Sequence, residues 1–382
     1  MKFKLLLIAL TALMLTLFMI ACEGPDQPTY TAENDPNPTG ANPATISSLS
    51  TDSALFRQIV TITGSGFNTD PAFNFVAFGT KTGKILSSTA TQIEVQAPSY
   101  SDATVDVKVA VKGSEFWSNA APLYFKDAAA LVHVVDEEIS WPNGVAVDDD
   151  NNVYVGSAND GVIYKIDPSG TKTEFSPAAI SGAMEFGPNG YLYVCEQGEG
   201  KIVRISPDGS TTEDVVEVES PIDFDWDVDG NMYIVSNAGA IFKYDTGGGL
   251  NEVASIGSPK CLRIFESNLY VSDIWNGAIL KYDITASGLE NEEVFYAGDS
   301  PLGIEFDSNG TMYFTEAWET SIYLIEQDGS TDVIFEGLLT TPMHYLTFYH
   351  DRMYIVYPGW GDVGQTLMCE MPAEQAPNYG RP

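Results

Sequence analysis

Tryptophans and carboxylates hold most of the chemistry this sequence could perform. Four of the six tryptophans, Trp141, Trp275, Trp318 and Trp360, stand beside turn residues. Indole is costly to leave in water, so tryptophan at a loop tip points to a stacking platform for a sugar ring, a small aromatic molecule or a peptide. The alternative is that the indoles wedge between neighbouring elements as anchors. The carboxylates fall into two registers. One lies three residues after a recurring tyrosine and reads Ser157, Glu196, Ser236, Asp273, Glu316 and Tyr357. The other reads Ala146, Glu185, Asp225, Arg263, Glu305 and Thr347. Carboxylates brought together repel, and need a cation, Arg263, water or raised pKa values. Glu185, Asp225, Glu305, Glu196, Asp273 and Glu316 are therefore candidate ligands for an ion such as calcium, which favours oxygen donors. A solvated channel without a specific ion is the competing reading. His344 is the one histidine placed among these residues for general-base chemistry. An ordinary polar loop residue is the simpler account of it.

The elements that must position these residues repeat. The tyrosines Tyr154, Tyr193, Tyr233, Tyr270, Tyr313 and Tyr354 are spaced by 39, 40, 37, 43 and 41 residues. A period near forty residues means a propeller or a solenoid. Each tyrosine sits in a short strand and is followed by another, such as Ile163–Ile166 or Ile279–Tyr282. Each is also preceded by a strand that mostly opens at proline: Pro142, Pro221, Pro259, Pro301 and Pro342. Turns such as Asn189-Gly190, Asp229-Gly230 and Asn309-Gly310 separate them. Four strands per repeat predict a six-bladed β-propeller over residues 128–382. The last repeat lacks an outer strand, and Leu131–Val135 is placed to supply it, closing the ring and covering an edge. In this arrangement the four tryptophans share one face, with Asn143 on the first inner strand beside them.

Before the repeats, residues 44–127 alternate in short runs, including Val60–Thr63, Phe75–Phe78 and Val105–Val109. Gly64-Ser65-Gly66-Phe67 ends one of these runs. The pattern predicts a small β-sandwich, so the fold class is all-β, with a sandwich followed by a propeller. Residues 22–43 carry five prolines and few apolar residues, and read as an extended tether. Residues 1–21 read as an export signal, with Lys2 and Lys4 ahead of an apolar run. Cys195, Cys261 and Cys369 are far apart without metal-type spacing, and are expected to be buried free thiols.

Three resemblances follow from these residues. Met19-Ile20-Ala21-Cys22 resembles a bacterial lipobox, which implies lipid attachment at Cys22 and a membrane anchor on an exported, cell-surface or periplasmic protein. The order of strands and glycines over 44–127 resembles the IPT/TIG family of immunoglobulin-like sandwiches, which implies a spacer or binding module. Pro142–Asp148 and Pro301–Asp307 resemble the NHL and SMP-30/gluconolactonase-like six-bladed propellers. The enzymes of that group hold a divalent metal with a Glu, Asn and Asp set. Here Asn143 is the only asparagine at an equivalent strand start; the others are Gly182, Ile222, Lys260, Leu302 and Met343.

The chain of 382 residues has 53 acidic against 18 basic side chains, a net charge of -35. Such a surface excludes nucleic acid as a partner. The expected function is non-catalytic binding of a glycan or small ligand on the tryptophan-bearing face, by a monomer. A metal-dependent lactonase or lyase and a protein-interaction scaffold are the alternatives.

Overall fold

The computed structural model describes residues 42–100, 103–126, 132–133, 139–178, 182–334, 345–357 and 363–380. Cys22, His344 and Trp360 lie outside them, as does the side chain of Tyr357. Contacts divide the chain after Asp127 into two compact units. Among the described residues, regular structure is strand apart from three single turns of 3-10 helix. No described helix is long and apolar enough to cross a membrane.

The first unit is a sandwich of two sheets. One carries Thr45–Leu49, Ile59–Ser65, Gln92–Gln96 and Lys84–Ser88 in that order. The other carries Ser53–Ala54, Ala121–Phe125, Ala103–Val111, Asn74–Phe78 and Lys81–Thr82. Alternation directs Val60, Ile62, Ile93 and Val95 from one sheet against Val76, Phe78, Val107, Val109, Leu123 and Phe125 from the other. Each such side chain contributes roughly 1.5–3 kcal/mol by leaving water. Gly64 is required where the first two strands pair, because a Cβ there would collide with the carbonyl oxygen of Thr45. Asn119 repairs a bulge in the same pair. It accepts from the Ile46 N–H at 2.9 Å and donates to the Ile46 carbonyl at 3.0 Å. Trp117 is half-buried, in keeping with packing.

The second unit is a six-bladed propeller. The first blade runs Pro142–Val147, Val153–Ser157, Val162–Ile166 and Lys172–Pro177. Four further four-stranded blades follow in the same order, with inner strands Met184–Phe186, Pro221–Trp226, Pro259–Phe265 and Pro301–Phe306. Proline is tolerated at these starts because the first residue of a strand can dispense with a ladder N–H. The sixth blade holds Tyr345–Tyr349, Arg352–Tyr357 and Val363–Glu370, and takes its outer strand from Val132–His133. Val132 pairs with Met368 and His133 with Leu367, so the N-terminal end of the unit closes the ring.

Alternation on the inner strands decides which side chains meet the channel. Val147, Phe186, Trp226, Ile264, Phe306 and Phe348 are all buried between blades. The repeat tyrosines pack beside them, as Tyr154 does edge-on to Phe186 and Tyr193 to Trp226. The ring closes apolar on apolar, with Tyr349, Tyr354 and Val356 of the sixth blade against Val147 and Val153 of the first. The intervening residues are thereby turned toward the central channel.

Candidate functional site

The polar register does converge. Glu185, Asp225, Arg263, Glu305 and Thr347 line one cavity in the channel. Its volume is about 40 Å³, enough for about three water molecules and too small for a sugar ring. A residue missing from the sequence reading organises it. Asp223 lies two positions before Asp225, hence on the same face of the strand. Its Oδ2 accepts from Arg263 Nη1 at 3.0 Å and from the Leu262 N–H at 2.9 Å. Arg263 Nε donates to Glu305 Oε1 at 2.9 Å. Asp225 accepts from the backbone N–H groups of Ile264 and Trp226, both at 2.7 Å. The period-two spacing Asp223-Phe224-Asp225 was the signal that could have revealed it.

Burial and mutual repulsion govern the charges here. Desolvation, opposed by Arg263, pushes Asp225 up to about 6 and Glu305 up to about 7. Burial and then Asp225 push Glu185 well above the usual carboxylate range. Burial works against the Arg263 cation, but Asp223 and Glu305 more than offset it and hold the guanidinium firmly charged.

The C-terminal segment closes this end of the channel. Gln375, Ala376, Pro377 and Asn378 complete the cavity wall. The segment is bonded across blades: the Met371 N–H donates to Asp351 O, the Gln375 N–H to His350 O and the Ala376 N–H to Phe306 O. Asn378 Nδ2 donates to Glu185 Oε1. Tyr379 packs against the apolar clusters on either side of the third blade. Residues 373–380, rich in turn formers, therefore form a strap over the channel.

The propeller enzymes this fold resembles hold a divalent ion in the channel, and the residues present here do not fit one. The guanidinium of Arg263 stands where the carboxylates need a cation, and their oxygens are committed to it and to backbone donors. Among the described residues no three His, Cys, Asp or Glu side chains are grouped to hold a metal. The thiols Cys195, Cys261 and Cys369 are free and buried.

The other carboxylate register does not join this cluster. Asp273, Glu316 and Glu196 end the second strands of three separate blades, and each is engaged by groups close to its own strand end. Asp273 accepts from the N–H groups of Gly257 at 3.2 Å and Ser258 at 3.1 Å, and from Asn276 Nδ2 at 2.7 Å. Glu316 accepts from the Ser300 N–H and from Tyr296 Oη, and burial raises its pKa. Glu196 is buried, with Lys201 at 3.8 Å. Ser157 and Ser236 do the same work, donating to Ser140 O and Glu219 O. At Ser157, Ser236, Asp273 and Glu316 this register is a latch that pins the loop leading into the blade. As a set of metal ligands it is corrected, because Asp273 and Glu316 are turned to local donors and not to a shared point.

The latches bear on the tryptophans. Trp275 and Trp318 stand two residues beyond Asp273 and Glu316, and are 87% and 73% exposed. They do not wedge between blades. Trp141 is 44% exposed and has φ 46, in the left-handed region. Ser220, at the equivalent position before Pro221, has φ 50, so the turn belongs to the architecture and not to the indole. The clamp that holds it recurs too: the Ala158 N–H donates to Trp141 O, Asn237 to Ser220 O, Ile274 to Ser258 O and Ala317 to Ser300 O. Asn143 is half-buried at the start of the first inner strand. Lys260 Nζ donates to Asn237 Oδ1 at 2.9 Å across two blades of this face, and burial lowers its pKa.

Comparison with known proteins agrees with this architecture. Residues 44–125 match the IPT/TIG domain model. No curated protein matches the sequence. The gluconolactonase of Xanthomonas campestris superposes with a TM-score of 0.55 at 18% identity, over 63% of this chain and 89% of its own. An auxiliary nutrient binding protein from Bacteroides thetaiotaomicron gives 0.52 at 12% identity, over 89% of this chain and 100% of its own. A protein of unknown function from the same organism gives 0.52 at 15%, over 86% and 98%. The last two matches extend beyond the propeller into the first unit. At these identities the likeness is one of fold. Residues 44–125 thus match the IPT/TIG sandwich, and the six-bladed β-propeller that follows has the fold seen in gluconolactonase-like proteins.

Proposed function

We propose that this protein binds a ligand on the tryptophan-bearing end of the propeller and performs no catalysis there, with a glycan as the ligand class. One observation carries the reading: two indoles in equivalent loops of adjacent blades, Trp275 and Trp318, are held out in solvent by buried carboxylate latches. An apolar ring kept exposed on a braced loop costs free energy that burial against a neighbour would recover, so its exposure requires another explanation. Stacking on a sugar face supplies one, at about 0.5–1.5 kcal/mol per ring. Trp141 adds a third aromatic on the same end, and Asn143 and Asn237 offer amides suited to hydroxyl groups.

The channel favours the same reading over hydrolysis. Its carboxylates are spent on Arg263, its cavity admits only water-sized groups, and the strap covers it. The nutrient-binding neighbour lends support in function class, though its likeness is one of fold alone. The export signal, the lipid on Cys22 and the tether of residues 22–43 belong to the same proposal: they would hold the ligand-binding end away from a membrane, with the sandwich as spacer. A panel of oligosaccharides titrated against the full chain tests it. Saturable binding that is abolished in Trp275→Ala/Trp318→Ala is expected. Binding unchanged in that double variant would sink the idea. Labelling with radioactive palmitate, lost in Cys22→Ala, checks the anchor.

A further inference from the structure

The loop leading into the fifth blade is bonded on either side to the two loops that carry Trp275 and Trp318. On one side the Gly298 N–H donates to Gly277 O at 2.7 Å, two residues beyond Trp275. On the other the Ala317 N–H donates to Ser300 O at 2.9 Å, next to Trp318. Between these anchors lies Asp299, and its side chain is exposed. Gly277 makes the approach close. It has φ 62, and a Cβ there would meet the carbonyls of Gly298 and Asp299, so only glycine lets the Trp275 loop lie against this segment. Glu319, beside Trp318, is exposed as well. Among the described residues neither Asp299 nor Glu319 has a cationic partner. Lys260, at the start of the fourth blade, is turned to Asn237.

An indole face attracts both apolar ring faces and cations. A carboxylate attracts donors, above all charged ones. A neutral sugar answers the first demand and an anionic one is repelled by the second. A sugar that carries a protonated amine answers both at once. We propose that the ligand of this face is a cationic saccharide, one that stacks a ring on Trp275 or Trp318 and sets an ammonium group against Asp299, with Glu319 as a second acceptor. The proposal rests on the reading of this face as a glycan site and names the charge of the glycan.

Isothermal titration of the full chain with a glucosamine tetrasaccharide and with its N-acetylated counterpart tests it, at physiological salt so that diffuse attraction by the net charge is screened. The two probes share their rings and differ in the amine charge. The amine form is expected to bind at least about fivefold more tightly. Asp299→Asn is expected to erase that preference and leave the affinity for the N-acetylated form unchanged, and Glu319→Gln to reduce it. Equal or tighter binding of the N-acetylated form would overturn the proposal while leaving the glycan reading intact. So would a preference that survives in Asp299→Asn, because it would then belong to the whole acidic surface. Absence of binding by either probe and by a wider neutral panel would remove the glycan reading itself, and this proposal with it.

Discussion

The two ends of the propeller channel treat costly groups in opposite ways. At the strap end two carboxylates are buried and two more, with a guanidinium, are half-buried, and each of these groups is hydrogen-bonded. At the loop end two indoles stand in water, although apolar packing lies one strand away. Buried charge without a partner is among the most expensive features a fold can carry, so the strap end is constrained by stability. Exposed indole is cheaper to tolerate and serves no packing purpose, so the loop end is free to be constrained by recognition. The latch carboxylates connect the two: Asp273 and Glu316 spend buried charge on backbone N–H groups, and so hold the tryptophan loops steady.

This contrast can be broken most sharply at Arg263. Arg263→Met leaves Asp223 and Glu305 buried without their cation, and should destabilise the propeller by about 3–5 kcal/mol in chemical denaturation. A loss near zero would mean that the carboxylates are neutral without it. Gly380→Val comes next. A side chain at this position would collide with the indole of Trp226, so the strap must lift. The expected cost is about 1–3 kcal/mol, with glycan binding at the far end unchanged.

The charge state of the cavity sharpens the comparison. Carboxyls whose folded pKa is raised contribute stability that is present below their unfolded values and lost as pH rises through the folded ones. For Asp225 and Glu305 that loss falls as pH passes about 6 and about 7. Asp208, lowered to about 2 by hydrogen bonds from Ser206 and Ser210, acts in the opposite sense only at far lower pH. The unfolding midpoint should therefore fall between pH 5 and pH 8, even in high salt that screens exposed charge. Glu185→Gln keeps an acceptor for Asn378 and removes one titration, so it should flatten the slope and raise the midpoint at pH 8. An unaltered slope would remove Glu185 from the groups that titrate in this range and leave the dependence to Asp225 and Glu305. The smallest effect on stability belongs to the loop end. Trp275→Ala and Trp318→Ala should shift stability by no more than about 0.5 kcal/mol, while abolishing glycan binding. A larger loss of stability would return the indoles to a packing role.

Much of the fold was legible before any coordinates. The tyrosine period, the leading prolines and the Asn-Gly and Asp-Gly turns state a four-stranded repeat, because strand, turn and alternation are local properties of the chain. Even the closure by Val132 and His133 follows from counting strands, since an unmatched strand and an unmatched edge must meet. The site was legible in part. Alternation along Glu185, Asp225 and Glu305 announced the channel lining. It offered Arg263 as one partner among several and could not choose between them, because adjacency across blades is not written in any one strand. Nor could it separate Asp273 and Glu316 from that lining. Both registers carry acids at regular spacing, and only the hydrogen bonds of the leading loops distinguish a latch from a ligand. His344, Trp360 and the side chain of Tyr357 fall outside the described residues.

What the residues alone settle is the all-β class, the division into sandwich and propeller, and which side chains face a neighbouring blade. Period-two alternation and turn chemistry depend on near neighbours, and near neighbours are what a sequence displays. What the folded chain decides is how far-separated residues meet. Asn378 reaches Glu185 across nearly two hundred residues, Arg263 joins acids from two blades, and Asp299 comes to lie between two tryptophan loops. Those meetings are products of ring closure, in which the order of blades, and not the order of residues, sets distance.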